Sequence, residues 1–229
     1  MVEYLFLDLD DTILDFQKAE KIALEKTLRH FGIVPTDAVC SLYSRINRQH
    51  WERLEKKELT RPQVLTGRFE TLFRQLQVQG DAAGIAWVYE ENLSQGHYFL
   101  LGAEEALKSL SRNYELYLAS NGTAHVQAGR IRSAGIAPYF KKIFVSEEIG
   151  ADKPSREYFE RCFAEIPGFC RERAMIVGDS LTSDILGGQN AGIRTCWVNP
   201  GRKPRREGIR VDWEIPSLSQ LEDLLKTLN

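Results

Sequence analysis

Residue types that build many common functional sites are scarce in this 229-residue sequence. It contains four cysteines, and none of them stands at the spacing of a Cys-x-x-Cys zinc or redox motif. Its four histidines are scattered singly, which argues against a histidine metal site. We therefore expect reduced cysteines in an intracellular protein, and no zinc centre.

Long apolar runs and an excess of one charge are also missing. No apolar stretch reaches the length of a membrane-spanning helix, and the first residues enter a strand pattern without a charged leader. Basic and acidic residues number 30 and 32, and the formal net charge is −2. This balance argues against a dedicated nucleic-acid or membrane-surface binder. We expect a soluble, cytoplasmic protein of ordinary globular composition.

Three aspartates follow an apolar run near the start of the chain. The run Tyr4–Leu7 is typical of a strand that is buried on both faces, and Asp8, Asp10 and Asp11 come directly after it. Crowded, buried carboxylates have raised pKa values unless a cation neutralises them. The stretch therefore predicts a metal site at the end of a strand. The alternative is an ordinary turn or helix cap, where Asp and Thr are common.

Helical patterns then continue for about eighty residues, as the apolar spacing indicates. Predicted helices cover residues 16–31, 37–57, 60–76 and 81–98, and Asp37 is interpreted as the cap of the second. No strand pattern separates them. This block, residues 16–99, is predicted to be an all-helical cap domain inserted after the first strand.

Strand and helix patterns alternate in the rest of the chain. Strands are expected at 114–119, 142–145, 174–177, 194–198 and near 213–215, with helices at 103–112, 124–134, 155–165, 181–191 and 217–228. Such alternation is typical of parallel strands joined by right-handed crossovers. We predict an α/β fold in which residues 1–15 and 100–229 form a Rossmann-like, three-layer, doubly wound parallel sheet.

Polar side chains follow two further strands. Ser120 and Asn121 come after the second strand and Asp179 after a later one, while Lys153 precedes a helix. Ligands of doubly wound sheets bind beyond the carboxyl ends of the strands, so these groups should converge with the first aspartates. Carboxylates, a hydroxyl and an ammonium suit a phosphate that is held against a hard cation.

These residues carry a family resemblance. The chain resembles phosphatases of the haloacid dehalogenase (HAD) superfamily, whose four short motifs match in order and cover nearly the whole chain. The matches are Asp8-Leu9-Asp10-Asp11-Thr12, Ser120-Asn121-Gly122, Lys153-Pro154, and Gly178-Asp179-Ser180 with Asp184 five residues later.

The resemblance implies a two-step hydrolysis. Asp8 would attack phosphorus and form an aspartyl-phosphate, and Asp10 would protonate the leaving oxygen and then activate water. Mg²⁺ would be held by Asp8, the backbone carbonyl of Asp10, and Asp179. Asp11 is interpreted as a loop residue and not as a ligand.

The resemblance also implies roles around the phosphate. Ser120 and the amides near Asn121 would hold phosphoryl oxygens, and Lys153 would neutralise developing charge and orient the nucleophile. Asp184 is interpreted either as a second-shell metal residue or as an ordinary helix residue. Thr12 is expected to brace its loop through the hydroxyl.

The second aspartate of the first motif favours phosphoryl transfer over dehalogenation, and a mutase remains an alternative.

Segments 48–51, 66–69, 183–188 and 191–197 are similar to pyrimidine 5′-nucleotidases of the superfamily, which hydrolyse nucleoside monophosphates such as dUMP, UMP and dTMP. The alternatives are a phosphatase for phosphoglycolate or a sugar phosphate, and a non-catalytic module that binds a phosphorylated metabolite.

Two cap residues have open interpretations. Trp51 is either a base-stacking residue or part of the cap core, and Arg68 either contacts substrate or lies on a solvated helix face. The sequence does not report the oligomeric state.

Overall fold

The computed structural model describes residues 1–228, which form two compact units. The core unit combines Met1–Phe16 with the chain from His97 onward, and the helical unit is Gln17–Gly96. The predicted boundaries lie between residues 15 and 16 and between residues 99 and 100. In the structure they lie between residues 16 and 17 and between residues 96 and 97. The roles of these units, a phosphatase core and a cap, stay predictions.

A parallel sheet organises the core unit. Neighbouring strands pair in the order β3-β2-β1-β4-β5-β6, and every pairing is parallel. This is the doubly wound order, so the predicted fold class is confirmed. The strands are β1 Tyr4–Leu7, β2 Glu115–Ser120, β3 Lys142–Val145, β4 Ala174–Gly178, β5 Arg194–Val198 and β6 Trp213–Ile215.

Helices make up the regular structure of the helical unit. Its first helix begins at the junction of the two units and the other three follow along the chain. They are α1 Phe16–His30, α2 Asp37–Glu55, α3 Arg61–Leu76 and α4 Ala82–Leu93.

Two predicted helix ends in this unit are wrong. Helix α2 is capped by Thr36, whose hydroxyl accepts a hydrogen bond from Val39 N at 3.3 Å, and Asp37 is already helical. Helix α4 ends at Leu93 and not near residue 98. The chain turns after Leu93, where Gly96 N donates to the Leu93 carbonyl at 2.9 Å, and the Gly96 backbone then packs against α1 so closely that a Cβ would lie 2.8 Å from the Ala19 Cβ.

Helices cover both faces of the sheet. Leu5 and Leu7 of β1 point into one layer and Tyr4 and Phe6 into the other, as the alternation of side chains along a strand requires. The three predicted layers are therefore present. The helices are α5 Ala103–Asn113, α6 Ala124–Ala134, α7 Ser146–Ile149, α8 Arg156–Ala164, α9 Leu186–Ala191 and α10 Leu221–Leu228.

The predicted helices at 181–191 and 217–228 are each divided in the structure. A π-helical turn, Leu181–Ile185, precedes α9, and a short 3₁₀ turn, Leu218–Gln220, precedes α10. The short helix α7 was not predicted, because four residues are too few to show a helical period. Among the described residues, no helix is long and apolar enough to cross a membrane, and all four cysteines are free thiols.

Candidate active site

The carboxyl ends of three adjacent strands bring the predicted site residues together. Strand β1 lies between β2 and β4, so Asp8 follows the central strand of this trio. Ser120 ends β2 and Asp179 follows β4. The sequence prediction that these side chains share one edge of the sheet agrees with this topology.

Lys153 is a buried ammonium at the centre of the site. It lies in the loop between α7 and α8 and is 1% exposed. Its Nζ donates to Asp8 Oδ1 at 2.8 Å, to Asp184 Oδ1 at 2.7 Å and to the Ala119 carbonyl at 2.6 Å. Three acceptors use all three protons of the ammonium, so its position is fixed. We call Asp8, Lys153, Asp179 and Asp184 the Asp8 cluster.

Burial and mutual repulsion perturb the carboxylates of the Asp8 cluster. Burial raises the pKa of Asp8 well above its ordinary value, Lys153 opposes this rise, and Asp184 adds to it. Burial, followed by the charge of Asp184, raises the pKa of Asp179 to about 8. Although burial disfavours its charged form, Asp184 and Asp8 raise the pKa of Lys153 above the ordinary value. The cluster thus has more carboxyl groups than its one ammonium can neutralise, and their charged forms are disfavoured without a further cation.

The π-helical turn positions Asp184. Ser180 accepts at its carbonyl from Ile185 N at 3.1 Å, and Ser180 N donates to Asp184 Oδ2 at 3.1 Å. A Cβ on Gly178 would lie only 2.2 Å from the Asp184 carboxylate, so this close approach needs glycine. Asp184 is 1% exposed and joined to Lys153, so it is more than an ordinary helix residue.

The Asp8 cluster fits a hard divalent cation. Asp8, Asp179 and Asp184 each offer a carboxylate oxygen, and these atoms lie within 4.8 Å of one another. Opposite ligands of Mg²⁺ are about 4.2 Å apart, so the spread is close to one coordination sphere. Both oxygens of Asp184 already accept hydrogen bonds, from Lys153 and Ser180. The donor set therefore suits a hard cation, and the place of Asp184 outside its first shell stays a prediction.

Asn121 supports the Lys153 loop. Its side-chain amide donates to the Lys153 carbonyl and accepts from the Lys153 N–H, both at 2.8 Å, and it also reaches Ser183 Oγ at 3.3 Å. These contacts make Asn121 a positioning residue for Lys153. The predicted contact between Asn121 and phosphate stays a prediction.

Two residues that sequence reasoning missed contact Asp10. Gln127 Nε2 donates to Asp10 Oδ2 and to Ser120 Oγ, both at 2.8 Å, and Arg130 forms an ion pair with Asp10. Gln127 is 1% exposed and Arg130 is fully buried. The signal in the sequence was this pair of large polar residues three apart in a predicted helix, a spacing that puts both on one face.

Asp11 and Thr12, the two loop residues that follow Asp10, differ in their hydrogen bonding. Asp11 has φ 54° and its carboxylate accepts from Phe16 N at 3.0 Å, which suits the expected loop residue at the start of α1. Thr12 is fully buried, and its hydroxyl has no hydrogen-bond partner among residues 1–228. The predicted bracing role of the Thr12 hydroxyl is therefore wrong.

In the helical unit, Arg68 is 2% exposed, so the interpretation as a solvated helix residue is wrong. Its guanidinium donates to Asn47 Oδ1 at 3.0 Å, pairs with Glu90 at 3.5 Å and lies 4.8 Å from the Tyr89 ring centroid. Asn47 in turn donates to Glu20 at 2.7 Å. We call Arg68, Asn47, Glu20 and Glu90 the Arg68 network.

Trp51 is partly buried, with the Arg61 guanidinium 5.6 Å from its ring centroid. The contact of either Trp51 or Arg68 with a substrate stays a prediction. Neither side chain lies in the core unit.

Known proteins resemble this chain over nearly its full length. Pyrimidine 5′-nucleotidase PynA of Streptococcus pneumoniae is 37% identical, over 97% of this chain and 94% of PynA. Pyrimidine 5′-nucleotidase YjjG of Escherichia coli is 30% identical, over 97% of each chain. The crystal structure of HAD-hydrolase YfnB from Bacillus subtilis, bound to magnesium, matches with a TM-score of 0.94 and 40% identity over 98% of both chains.

The family can be stated from these matches. The model of the haloacid dehalogenase-like hydrolases matches residues 5–198, a span that includes the Asp8 cluster, Ser120 and Asp10. The predicted class of phosphoric monoester hydrolase agrees with the names of the nucleotidase relatives. This chain belongs to the haloacid dehalogenase-like hydrolase family.

Proposed function

We propose that this protein is a Mg²⁺-dependent phosphomonoester hydrolase that acts on pyrimidine nucleoside 5′-monophosphates through an aspartyl-phosphate. The observation that supports it most is the Asp8 carboxylate, which is held by Lys153 and interacts electrostatically with Asp10. The chain around this arrangement is similar along its length to two pyrimidine 5′-nucleotidases. The core unit is the proposed catalytic domain, and the helical unit is the proposed cap.

In the first step, an oxygen of Asp8 attacks phosphorus while the bond from phosphorus to the ester oxygen breaks. Lys153 orients the nucleophile through its contact with Oδ1. Asp10 gives its proton to the leaving oxygen, so that the alcohol departs neutral. The products of this step are the free nucleoside and phosphorylated Asp8.

In the second step, water attacks the phosphorus of the intermediate. Asp10, now ionised, takes a proton from that water, and the bond between phosphorus and Asp8 breaks. Inorganic phosphate leaves, Asp8 is regenerated as a carboxylate, and Asp10 is again protonated. The two steps together consume one water and release one alcohol and one phosphate.

Phosphate and metal would be held by groups around Asp8. Ser120 Oγ accepts from Gln127 and from Gly122 N, so its own O–H is oriented to donate to a phosphoryl oxygen. Mg²⁺, when bound by Asp8, the Asp10 carbonyl and Asp179, supplies positive charge that reduces the repulsion between phosphate and carboxylate. The magnesium-bound structure of YfnB supports this choice of cation.

The test is phosphate release, with MgCl₂, from UMP, dUMP, dTMP, purine monophosphates, phosphoglycolate and sugar phosphates. We expect a preference for the pyrimidine monophosphates. Asp8→Asn, which keeps the size of the side chain, should lower phosphate release at least about 10³-fold without unfolding the protein. Activity that persists in Asp8→Asn would contradict the mechanism, whereas a preference for non-nucleotide phosphates would contradict only the substrate.

A further inference from the structure

Helix α6 presents two buried polar side chains to Asp10. Gln127 and Arg130 stand three residues apart, so they share one face of the helix. Gln127 Nε2 contacts Asp10 Oδ2 at 2.8 Å, and Arg130 Nη1 contacts Asp10 Oδ1. Each oxygen of the Asp10 carboxylate therefore has its own donor, which fixes the plane of the carboxylate as well as its position.

The amide of Gln127 also joins two parts of the site. Its Nε2 donates to Ser120 Oγ at 2.8 Å, and its Oε1 accepts from Arg130 at 3.2 Å. This arrangement needs glycine at position 122, because a Cβ on Gly122 would lie only 2.3 Å from Gln127 Nε2. One amide thus connects the proposed phosphate-binding hydroxyl with the proposed acid.

Burying the Arg130 guanidinium costs folding free energy unless a partner compensates its charge. The guanidinium is fully buried and lies 5.6 Å from the Phe16 ring centroid, while the Asp10 side chain that it pairs with is 29% exposed. An uncompensated buried charge is strongly destabilising, so the ion pair with Asp10 contributes to the stability of the core unit. The charge is therefore held against the one carboxylate that the proposed mechanism uses for proton transfer.

We propose that Arg130 and Gln127 are positioning residues that hold the Asp10 carboxylate at a fixed place relative to Ser120, and so to the leaving oxygen of the substrate. The inference rests on the proposed function. A carboxyl oxygen has two lone pairs, so each oxygen of Asp10 can accept from its donor and still face a second group. A shift of the acid by about 1 Å can cost about 10²-fold in rate, so the anchor matters for both steps.

Two substrates with different leaving groups distinguish a positioning role of Arg130 and Gln127 from a purely structural role. An alkyl phosphate such as UMP releases an alkoxide unless an acid protonates it, whereas p-nitrophenyl phosphate releases a stabilised phenolate that needs little protonation. The constant kcat/KM covers the steps up to formation of the aspartyl-phosphate, which is the step in which Asp10 acts as acid. Comparing kcat/KM for the two substrates therefore reports how well Asp10 is positioned.

The variants are Arg130→Met, Arg130→Lys and Gln127→Met, with Arg132→Met as the matched control on the exposed side of α6. We expect Arg130→Met to lower kcat/KM for UMP about 10²-fold and that for p-nitrophenyl phosphate less than tenfold. Arg130→Lys should restore part of the loss, and Gln127→Met should show the same selectivity to a smaller extent. Arg132→Met should leave both values within about twofold of the original protein.

Equal losses on both substrates, or no loss on either, would overturn the inference. Circular dichroism establishes that each variant is folded, and Gln127→Met carries the test if Arg130→Met does not fold. If the unsubstituted protein hydrolyses another alkyl phosphate in place of UMP, that ester is used, so a wrong substrate does not affect the result. If it hydrolyses neither kind of ester, the proposed function fails, and the inference fails with it.

Discussion

Each unit of this protein contains a buried network of charged side chains, and the two networks differ in how their charge is balanced. In the core unit, the Asp8 cluster holds three carboxylates against one ammonium. In the helical unit, Arg68 is bonded to the amide of Asn47 and paired with Glu90, and it also lies over an aromatic ring. The first network has three carboxylates for one cation, whereas the second has two carboxylates, of Glu20 and Glu90, for one cation that is shared among an amide, a carboxylate and a ring.

The origin of the side chains explains the difference. Members of the Arg68 network come from α1, α2, α3 and α4, so their bonds tie the helices to one another. Members of the Asp8 cluster come from strand ends, a loop and the π-helical turn, and burial raises the pKa values of Asp8 and Asp179. Charge that disfavours the folded state is typical of a functional site, whereas a network that joins helices serves stability.

The strongest contrast is expected from removing the cation of the Asp8 cluster. Lys153→Met should lower kcat about 10³-fold, because the nucleophile loses its orienting partner and the developing charge loses its counter-ion. The matched control is Lys108→Met, whose ammonium is half exposed and pairs with Glu104 on the surface at 2.8 Å. Phosphate release at saturating substrate measures the effect, and a comparable loss in Lys108→Met would contradict the assignment.

Removing the cation of the Arg68 network should act on stability instead. Arg68→Met leaves Asn47 and Glu90 without their buried partner, which should cost about 3 kcal/mol of unfolding free energy. Urea denaturation measures this, with Arg53→Met as the control because Arg53 is half exposed and pairs with Glu58 at 3.2 Å. The control should change stability by less than about 1 kcal/mol. A loss of activity in folded Arg68→Met at low temperature would instead favour the predicted substrate contact.

The sequence indicated the strand ends well, for a physical reason. Buried parallel strands show as short apolar runs, and polar residues directly after such runs stand out, as Asp8, Ser120 and Asp179 do. Parallel topology then brings those ends to one edge of the sheet. The fold and the approximate place of the strand-end residues followed from this pattern, whereas the role of Asp184 came from the family resemblance.

Residues inside helices were harder to interpret. Arg68 and Arg130 are both buried, yet charged residues in helices usually face solvent, so the sequence pattern alone favours exposure. The π-helical turn that carries Asp184 also has no distinct sequence signature. Tertiary contacts decide these cases, and one sequence does not display them.

The excess charge of the Asp8 cluster should make stability depend on pH and on metal. The pKa of Asp179 rises from its ordinary 3.8 to about 8, so the folded metal-free protein prefers the neutral carboxyl. This preference is fully present below pH 4 and is lost as the pH rises from 4 to 8, because the unfolded chain ionises freely. Stability of the metal-free protein should fall over that range, by up to about 1.4 kcal/mol per pH unit.

Added MgCl₂ should reverse this loss. At pH 6, binding must displace a proton from Asp179, whereas at pH 8 about half of the carboxyls are already ionised, so the rise in melting temperature should be larger at pH 8. Thermal unfolding at both pH values, with and without MgCl₂, measures the difference. Asp179→Asn should make this difference smaller and leave the part that comes from Asp8, whose pKa burial also raises. An equal magnesium shift at both pH values would speak against a metal on these carboxylates.

The smallest difference between the two units is expected in kcat, when one helix-capping hydroxyl is removed from each unit. Ser180 Oγ accepts from Ser183 N at 3.1 Å in the turn that carries Asp184, and Thr36 accepts from Val39 N at the start of α2. Substituting either by alanine should cost about 1 kcal/mol in urea denaturation, since each leaves one helical N–H unsatisfied. Only Ser180→Ala should also lower kcat a few-fold, because the turn fixes the carboxylate that holds Lys153. Equal kcat in the two variants would show that Asp184 keeps its place without the cap.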